Sequence, residues 1–169
     1  IFTNNEEYAN KIKLLRVHGQ NKRYHHQYIG IGGRLDTLQA AVLLAKLPNF
    51  KKELSARQTV ADKYTDKLSK AFQTPVIKSK RTSAWAQYTL RVKNRDNLQS
   101  KLKQEGIPSS VFYPIPLNLQ KCFKFLNSRH GDYPISDKAS KEVLSIPMNS
   151  FLSDSQIAFI VSKLTNLSL

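Results

Sequence analysis

The sequence predicts an α+β domain with a long helical arm, and three observations support this. Apolar residues recur at helical spacing from Leu35 to Leu68. Strict alternation from Ala84 to Val92 predicts a half-buried strand. Helical patterns on both sides of that strand, with short extended segments between them, predict helices interleaved with a few mostly antiparallel strands. The 169 residues, 40% of them hydrophobic, are enough for one real core.

The first predicted element is a helix that Asn4 or Asn5 can cap and that Gly19 stops. Residues 20–33 follow as a loop, here named the 20–33 loop. Loops of this length inside a compact domain are usually functional or disordered. The tyrosines and glycines of this one argue against simple disorder.

The helical arm, residues 35–68, is predicted in two pieces. Its apolar spacing is helical from Leu35, and its first turn carries Arg34 and Asp36. An acidic side chain there suits the positive end of the helix dipole. Pro48 is expected to end or bend the first piece, because it lacks an amide N–H and clashes with the preceding turn. A second helical run then continues to Leu68.

The remaining elements are shorter. Ser153 and Gln156 form a predicted capping box ahead of the last helix, and Cys122 is expected to be a small buried hydrophobe. The other predicted elements are a helix from Asn94 or Asp96 to Gly106, a short strand at Ser110–Tyr113, a short apolar helix or turn at Leu117–Leu126, a helix at Ile135–Val143 and an edge strand at Leu144–Met148.

The net charge of +15, from 27 basic and 12 acidic residues, permits a nucleic-acid-binding domain. However, the lysines are spread along the whole chain, and no nucleic-acid-binding signature accompanies them. We therefore favour a lysine-rich cytoplasm or an anionic small-molecule substrate as the explanation, and expect no nucleic-acid partner.

Other function classes are disfavoured by composition. No apolar run approaches the length of a membrane span, so no membrane partner is expected. The single Cys122 excludes an internal disulfide framework, which makes the cytoplasm the expected compartment. One cysteine beside four scattered histidines makes no zinc pattern.

Gly30, Gly32 and Gly33 precede the predicted start of the helical arm. Free N–H groups and the helix dipole favour an anion at such a turn, so it could cradle a phosphate. A flexible glycine turn without a ligand is the alternative. Arg34 follows directly and either pairs with Asp36 or contacts the phosphate or nucleotide part of a substrate through bidentate hydrogen bonds.

Two segments carry a resemblance to a known family. HGQNKRYHHQYIGIGGRLDTLQAA, residues 18–41, resembles the HGQ…RYHH…IGxNxRLDTLQAA segment of the DegT/DnrJ/EryC1/StrS family of pyridoxal-phosphate-dependent nucleotide-sugar aminotransferases. VFYPIPLNLQ, residues 111–120, resembles the family's HYPxPLHxQ segment. The resemblance covers nearly the whole chain but only the C-terminal portion of such an enzyme.

The resemblance implies a fold-type I aminotransferase. Residues 1–48 would be the tail of its large cofactor-binding domain with the inter-subunit loop, and residues 49–169 its C-terminal small domain with the connecting helix. The Schiff-base lysine of the family lies upstream of the matched segment. We therefore expect no catalytic residue in this chain and no covalently bound pyridoxal phosphate.

The resemblance also implies roles for four residues. Gly32 and Arg34 would contact the cofactor phosphate, although Gly32 stands where the family usually has Asn. Arg34, Tyr113 and Asn118 would contact the substrate. Asn118 replaces the histidine of PLH, and Phe112 stands where histidine is common, so two titratable imidazoles are absent.

The implied function is amination of a nucleotide-linked keto-sugar by a homodimer, with glutamate as the amino donor. Such reactions belong to cell-surface polysaccharide or amino-sugar biosynthesis. This chain would supply part of the substrate pocket and the loop that crosses to the partner subunit. The alternatives are a catalytically inactive split homologue, an interaction module and, less favoured, a basic nucleic-acid-binding domain.

Overall fold

The structure is a computed structural model that describes residues 1–167. The chain divides into two compact units, Ile1–Asn49 and the part that begins at Phe50. The elements are α1 (Glu6–Leu15), β1 (Gln20–Lys22), β2 (His25–His26), α2 (Thr37–Leu68), β3 (Tyr88–Arg91), α3 (Arg95–Gln104), two 3₁₀ helices (Leu117–Leu119 and Lys121–Leu126), α4 (Pro134–Glu142), β4 (Val143–Ile146) and α5 (Asp154–Leu167). Helices with a few antiparallel strands confirm the predicted α+β class.

In the first unit, the side chain of Asn5 caps α1 by accepting a 3.0 Å hydrogen bond from the amide of Tyr8. The 20–33 loop contains more regular structure than predicted, because β1 and β2 pair antiparallel within it. An isolated antiparallel bridge between Val17 and Gly32 closes the base of this hairpin. Backbone pairing therefore holds the loop against the end of α1.

The helical arm differs from its prediction in two ways. First, α2 is one helix of 32 residues that continues through Pro48. Pro48 was expected to end or bend the helix, and the first of these alternatives was wrong, because one missing amide removes a single bond from a long ladder. Second, α2 begins at Thr37, so Arg34 and Asp36 lie before the first turn instead of in it. The amide of Asp36 donates to Gln39 Oε1 at 3.1 Å, which caps this later start.

The core of the second unit is apolar and forms where the second half of α2, the β3–β4 pair, α3 and α5 supply their buried residues. β3 and β4 pair antiparallel, with Tyr88 opposite Ile146 and Arg91 opposite Val143. The core side chains are Val60, Ala61, Tyr64, Leu68, Phe72, Trp85, Tyr88, Leu90, Val92, Leu98, Leu102, Ile107, Leu144, Ile146, Ile157, Ile160 and Leu164. The predicted alternation is present from Tyr88 to Val92, where Tyr88, Leu90 and Val92 are buried. It was wrong upstream of Tyr88, where Ala84 and Ala86 are exposed and Trp85 is buried, because regular strand pairing is limited to Tyr88–Arg91.

Three local predictions need correction. The short strand at Ser110–Tyr113 is reduced to one bridge between Ser110 and Ser145, because Pro114 and Pro116 follow at once. Ser145 also pairs with β3, so β4 is not an edge strand at that residue. Cys122 is exposed. The 3₁₀ geometry of its segment changes which side chains face inward relative to the assumed α-helix.

The predicted capping box at the start of α5 is confirmed. The amide of Ser153 donates to Gln156 Oε1 at 2.9 Å, and the amide of Gln156 donates to Ser153 Oγ at 3.2 Å. Within residues 1–167, no helix combines the length and apolar character that crossing a bilayer requires.

Candidate functional site

The glycine turn at residues 30–33 folds back on the end of α1. The amide of Ile31 donates to the Leu15 carbonyl at 2.9 Å, and the amide of His18 donates to the Ile31 carbonyl at 3.0 Å. The amide of Gly33 donates to the Arg16 carbonyl at 2.9 Å, so this N–H is already engaged. Backbone hydrogen bonds therefore fix the turn without help from a ligand.

Two glycines of this region are required by close packing. Gly19 has φ +69°, and a Cβ there would lie 1.8 Å from the Tyr28 carbonyl oxygen. A Cβ at Gly30 would lie 2.4 Å from both the Gly19 nitrogen and the Leu15 carbonyl oxygen. Gly30 thus serves the approach of two backbone segments, which is a structural role and not the cradle suggested by the sequence.

Gly32 differs from its neighbours because its amide has no acceptor in the described part of the chain. A Cβ on Gly32 would lie 3.2 Å from Cε1 and 3.3 Å from Nε2 of His18, so the space above it faces an imidazole. Arg34 is exposed and forms no ion pair within residues 1–167, which leaves the predicted alternative of pairing with Asp36 without support. A free amide, an imidazole and a guanidinium suit a phosphate in their donor chemistry.

The charge of the surrounding sequence favours the same class of ligand. From Tyr8 to Leu35 the chain contains six basic residues and no Asp or Glu. The six are Lys11, Lys13, Arg16, Lys22, Arg23 and Arg34. An anion near this segment would meet no local carboxylate.

In the second unit, Tyr113 lines a cavity of about 580 Å³ between residues 112–120 and α4. Its side chain is 76% exposed, and its ring lies edge-on to Phe112 with centroids 6.3 Å apart. Gln120 Nε2 donates to the Ile115 carbonyl at 3.4 Å across the same turn. The phenol of Tyr113 has no partner within residues 1–167, so it is available to a ligand as donor or acceptor.

Asn118 lines a second cavity of about 280 Å³. Its Nδ2 is buried and forms no hydrogen bond among the described residues. The other lining residues are Leu117, Phe123, Leu126, Tyr133 and Ser136. Leu117 and Ser136 line both cavities, so the structure brings Tyr113 and Asn118 to adjoining cavities.

The sequence did not reveal three of these lining residues. Phe123 lies in the second 3₁₀ helix, Tyr133 directly precedes α4, and Ser136 lies in the first turn of α4. Their type gave no signal, because aromatic residues in an apolar turn are more often packing residues. The unpaired amide of Asn118 was not predictable either, since it depends on which neighbours surround it in space.

The four predicted site residues divide between the two units. Gly32 and Arg34 belong to the first unit, and Tyr113 and Asn118 belong to the second. Among residues 1–167, no three His, Cys, Asp or Glu side chains come together as a metal site. His26 Nδ1 instead contacts the His18 carbonyl oxygen at 2.9 Å.

Comparison with known proteins identifies what this chain is similar to. A profile of the DegT/DnrJ/EryC1/StrS aminotransferase family matches residues 1–165. A Pseudomonas aeruginosa protein named UDP-2-acetamido-2-deoxy-3-oxo-D-glucuronate aminotransferase is 44% identical over 167 residues, which are 98% of this chain and 46% of that protein. A UDP-N-acetyl-3-dehydro-alpha-D-glucosamine 3-aminotransferase of Acidithiobacillus ferrooxidans is 32% identical over 163 residues, 96% of this chain and 44% of that protein.

Solved structures give the same result. A DegT/DnrJ/EryC1/StrS aminotransferase from Brucella abortus superposes with a TM-score of 0.87 at 36% identity, covering 99% of this chain and 45% of that one. DesV of S. venezuelae, solved with a ketimine intermediate, superposes with a TM-score of 0.88 at 27% identity, covering 98% of this chain and 45% of that one. The chain thus spans a little under half the length of these relatives.

Proposed function

The chain belongs to the DegT/DnrJ/EryC1/StrS aminotransferase family, and on that premise we propose that it is part of a pyridoxal-phosphate-dependent enzyme that aminates a nucleotide-linked keto-sugar. The observation that carries this proposal is the 44% identity, over 98% of the chain, to a protein named as an aminotransferase of a UDP-linked oxo-sugar. In this enzyme, residues 1–48 form the tail of the cofactor-binding domain and residues 49–169 form the C-terminal small domain.

Gly32 and Arg34 would hold the phosphate of the cofactor. The unpaired amide of Gly32 supplies a donor, and the unpaired guanidinium of Arg34 supplies charge. A side chain at Gly32 would occupy the space that faces His18. When bound, pyridoxal phosphate supplies the electron sink for amino transfer, while the protein contributes binding and orientation.

The nucleotide sugar would be held by Arg34, Tyr113 and Asn118. A guanidinium can bind a diphosphate through two parallel hydrogen bonds. The exposed phenol of Tyr113 is free to bind hydroxyl or carbonyl groups of the substrate, and Asn118 lines the adjoining cavity. Glutamate is the proposed amino donor. The basic stretch around Arg34 favours approach of these anionic molecules.

The 20–33 loop is proposed to reach a second subunit and so to complete the neighbouring site in a homodimer. Its apolar side chains are exposed in the first unit, although the Tyr24 phenol accepts a 3.1 Å hydrogen bond from Arg23 Nη2. Tyr24 is 77% exposed, Ile29 101% and Ile31 70%. Such groups on a backbone fixed by hydrogen bonds indicate a surface that another molecule covers.

The test is an aminotransferase assay on the protein that carries these 169 residues. The substrates are a UDP-linked keto-sugar and glutamate, and the product measured is 2-oxoglutarate. We expect Arg34→Met to raise KM for the nucleotide sugar at least tenfold, because the charge-assisted contact is lost. Arg81→Met removes an exposed arginine outside the proposed site and serves as the matched control. No 2-oxoglutarate above background with cofactor present would support the inactive-homologue alternative and contradict the proposal.

A further inference from the structure

The imidazole of His18 lies beside the glycine turn, and its ring forms no hydrogen bond or ion pair within residues 1–167. Residue 18 is exposed, so burial in a core does not account for a histidine at this place. A Cβ on Gly32 would lie 3.3 Å from the Nε2 atom of the ring and 3.2 Å from its Cε1 atom. This edge of the ring therefore borders the open space beside Gly32.

The backbone of His18 is held in a conformation that is uncommon for a residue with a Cβ. Its φ is +63°, in the left-handed region. Its amide donates to the Ile31 carbonyl at 3.0 Å, and its own carbonyl oxygen accepts a 2.9 Å hydrogen bond from His26 Nδ1. These two bonds fix the direction in which the side chain leaves the backbone. Glycine adopts such a φ without strain, so the backbone alone does not require a histidine.

The amide of Gly32 borders the same space as the ring. Gly32 forms an antiparallel bridge with Val17 in which the residues on either side make the hydrogen bonds, so its own N–H points away from Val17. Because a Cβ lies about 2.5 Å from the nitrogen of its own residue, the Gly32 nitrogen and His18 Nε2 are at most about 6 Å apart. Two oxygens of one phosphate, each about 3 Å from its donor, can bridge that separation.

We propose that His18 is a further phosphate-binding residue for the cofactor, with Nε2–H donating to one phosphate oxygen while the Gly32 amide donates to another. This inference rests on the proposed function, in which Gly32 and Arg34 hold that phosphate. A neutral imidazole protonated at Nε2 and an imidazolium both supply the donor. The sequence from Tyr8 to Leu35 contains no Asp or Glu that could compete for it. A glycine at position 32 leaves the space between the two donors open.

The test compares two ligands that differ only in the phosphate. Pyridoxamine phosphate and pyridoxamine are titrated by calorimetry into the cofactor-free protein that carries these 169 residues, and neither ligand has an aldehyde that could bond to a lysine. We expect His18→Gly to weaken binding of pyridoxamine phosphate roughly tenfold, because a hydrogen bond to a charged acceptor is lost. Binding of pyridoxamine should not change. His130→Gly removes an exposed histidine of the second unit and is the matched control.

Three results would overturn the assignment of His18. They are equal losses of affinity for the two ligands, an unchanged affinity for pyridoxamine phosphate, and no binding of pyridoxamine phosphate by the parent protein. The first would show that the ring contacts another part of the ligand, and the second that it contacts none.

A substitution at Gly32 distinguishes a lost phosphate contact from a displaced turn. An asparagine there would bring a side-chain N–H donor into the same space. In the parent its Cβ meets the His18 ring at 3.2 Å, so we expect Gly32→Asn to weaken binding of pyridoxamine phosphate severalfold. In His18→Gly the ring is absent, and the same substitution should strengthen this binding severalfold. A change in the same direction in both backgrounds would contradict the inference.

A structural role for the ring predicts a different result. If the ring held the turn in place, His18→Gly would open it and raise proteolytic cleavage in the 20–33 loop. We expect equal cleavage rates in His18→Gly and the parent, because glycine accepts the backbone conformation; a severalfold rise overturns the proposal. An active aminotransferase whose affinity for pyridoxamine phosphate does not depend on His18 would refute this inference alone. An inactive protein with the expected affinities would refute only the proposed amino transfer.

Discussion

The indole Nε1 of Trp85 donates a 2.7 Å hydrogen bond to Oε1 of Gln58 in α2. Trp85 is only 5% exposed, and its φ of +47° is unusual for a residue with a side chain. Arg57 Nη1 donates to the Trp85 carbonyl oxygen at 2.8 Å, and Gln58 Nε2 donates to Asp62 Oδ1 at 2.8 Å. The segment before β3 is thus fixed to two consecutive residues of one helix.

Replacing the acceptor of the indole should destabilise the second unit. Gln58→Leu leaves the buried Nε1 of Trp85 unpaired, which we expect to lower the free energy of unfolding by about 1–3 kcal/mol. Urea unfolding followed by the fluorescence of this single tryptophan measures the change. Gln104→Leu, at an exposed position of α3, is the control. An unchanged urea midpoint in Gln58→Leu would show that the hydrogen bond is not stabilising.

The two glycines of the turn predict opposite outcomes for the same substitution. Gly30→Ala places a Cβ 2.4 Å from the backbone of Gly19 and Leu15, which cannot yield without opening the hairpin. Gly32→Ala meets only the His18 ring, at 3.2 Å, which can rotate. We expect Gly30→Ala alone to increase proteolytic cleavage in the 20–33 loop severalfold. Equal rates of proteolytic cleavage in Gly30→Ala and Gly32→Ala would contradict this prediction.

The buried tyrosines predict a loss of stability at alkaline pH. Burial, with a smaller contribution from neighbouring Tyr88, raises the pKa of Tyr64 well above the ordinary 10.0. The unfolded chain therefore ionises first, and stability is retained below about pH 10 and lost as the pH rises further. Above pH 10, Tyr64→Phe should reduce the steepness with which the free energy of unfolding falls with pH, by up to about 1.4 kcal/mol per pH unit.

The same variant gives a check at neutral pH. Tyr64→Phe removes the 3.0 Å hydrogen bond from the phenol to the Pro147 carbonyl oxygen, which should cost about 1 kcal/mol. Urea midpoints at pH 8, 10 and 11 measure both effects. Tyr8→Phe changes a phenol on a residue that is 59% exposed. It should alter neither the stability at neutral pH nor the loss of stability above pH 10. Parallel pH profiles for the parent and Tyr64→Phe would refute the prediction.

The exposed apolar side chains of the 20–33 loop predict self-association. We expect the chain to form dimers or larger species at concentrations on the order of tens of micromolar. Light scattering measures this association. The triple change Tyr28→Ser, Ile29→Ser, Ile31→Ser should shift it toward monomer, because it removes an apolar surface that is exposed on each copy.

A matched triple change tests whether any exposed apolar group has this effect. Val76→Ser, Ile77→Ser and Phe151→Ser alter apolar side chains that are 86%, 40% and 82% exposed in the second unit. These changes should leave the association unchanged. A parent chain that is monomeric at all concentrations, with a protease-resistant 20–33 loop, would exclude the proposed inter-subunit role.

Sequence reasoning succeeded where local chemistry decides the structure. Asn5 and the Ser153–Gln156 pair were identified because a cap needs only residues within one turn. The alternation from Tyr88 to Val92 was identified because a sheet with one buried face imposes a period of two. The family was recognised from residues 18–41 because no short generic motif gives that succession.

Sequence reasoning failed where the structure depends on opposing energy contributions or on which residues are neighbours in three dimensions. Pro48 was expected to divide the arm into two helical pieces, although α2 continues unbroken for 20 residues beyond it. Cys122 was placed inside because its spacing from neighbouring leucines was assumed to be α-helical, whereas the segment is 3₁₀. The unpaired amide of Asn118 could not be predicted, because it depends on the absence of a partner in three dimensions.

The continuity of α2 has a consequence for folding kinetics. Starting a helix is slow and unfavourable, whereas adding a residue to an existing one is fast. The buried residues Val60, Ala61, Tyr64 and Leu68 all lie in the last third of α2, so nucleation is favoured there. Growth toward Thr37 then passes Pro48, where one rung of the ladder is absent. The N-terminal turns of α2 should therefore exchange their amide hydrogens first, and Pro48 should mark the position where exchange rates change.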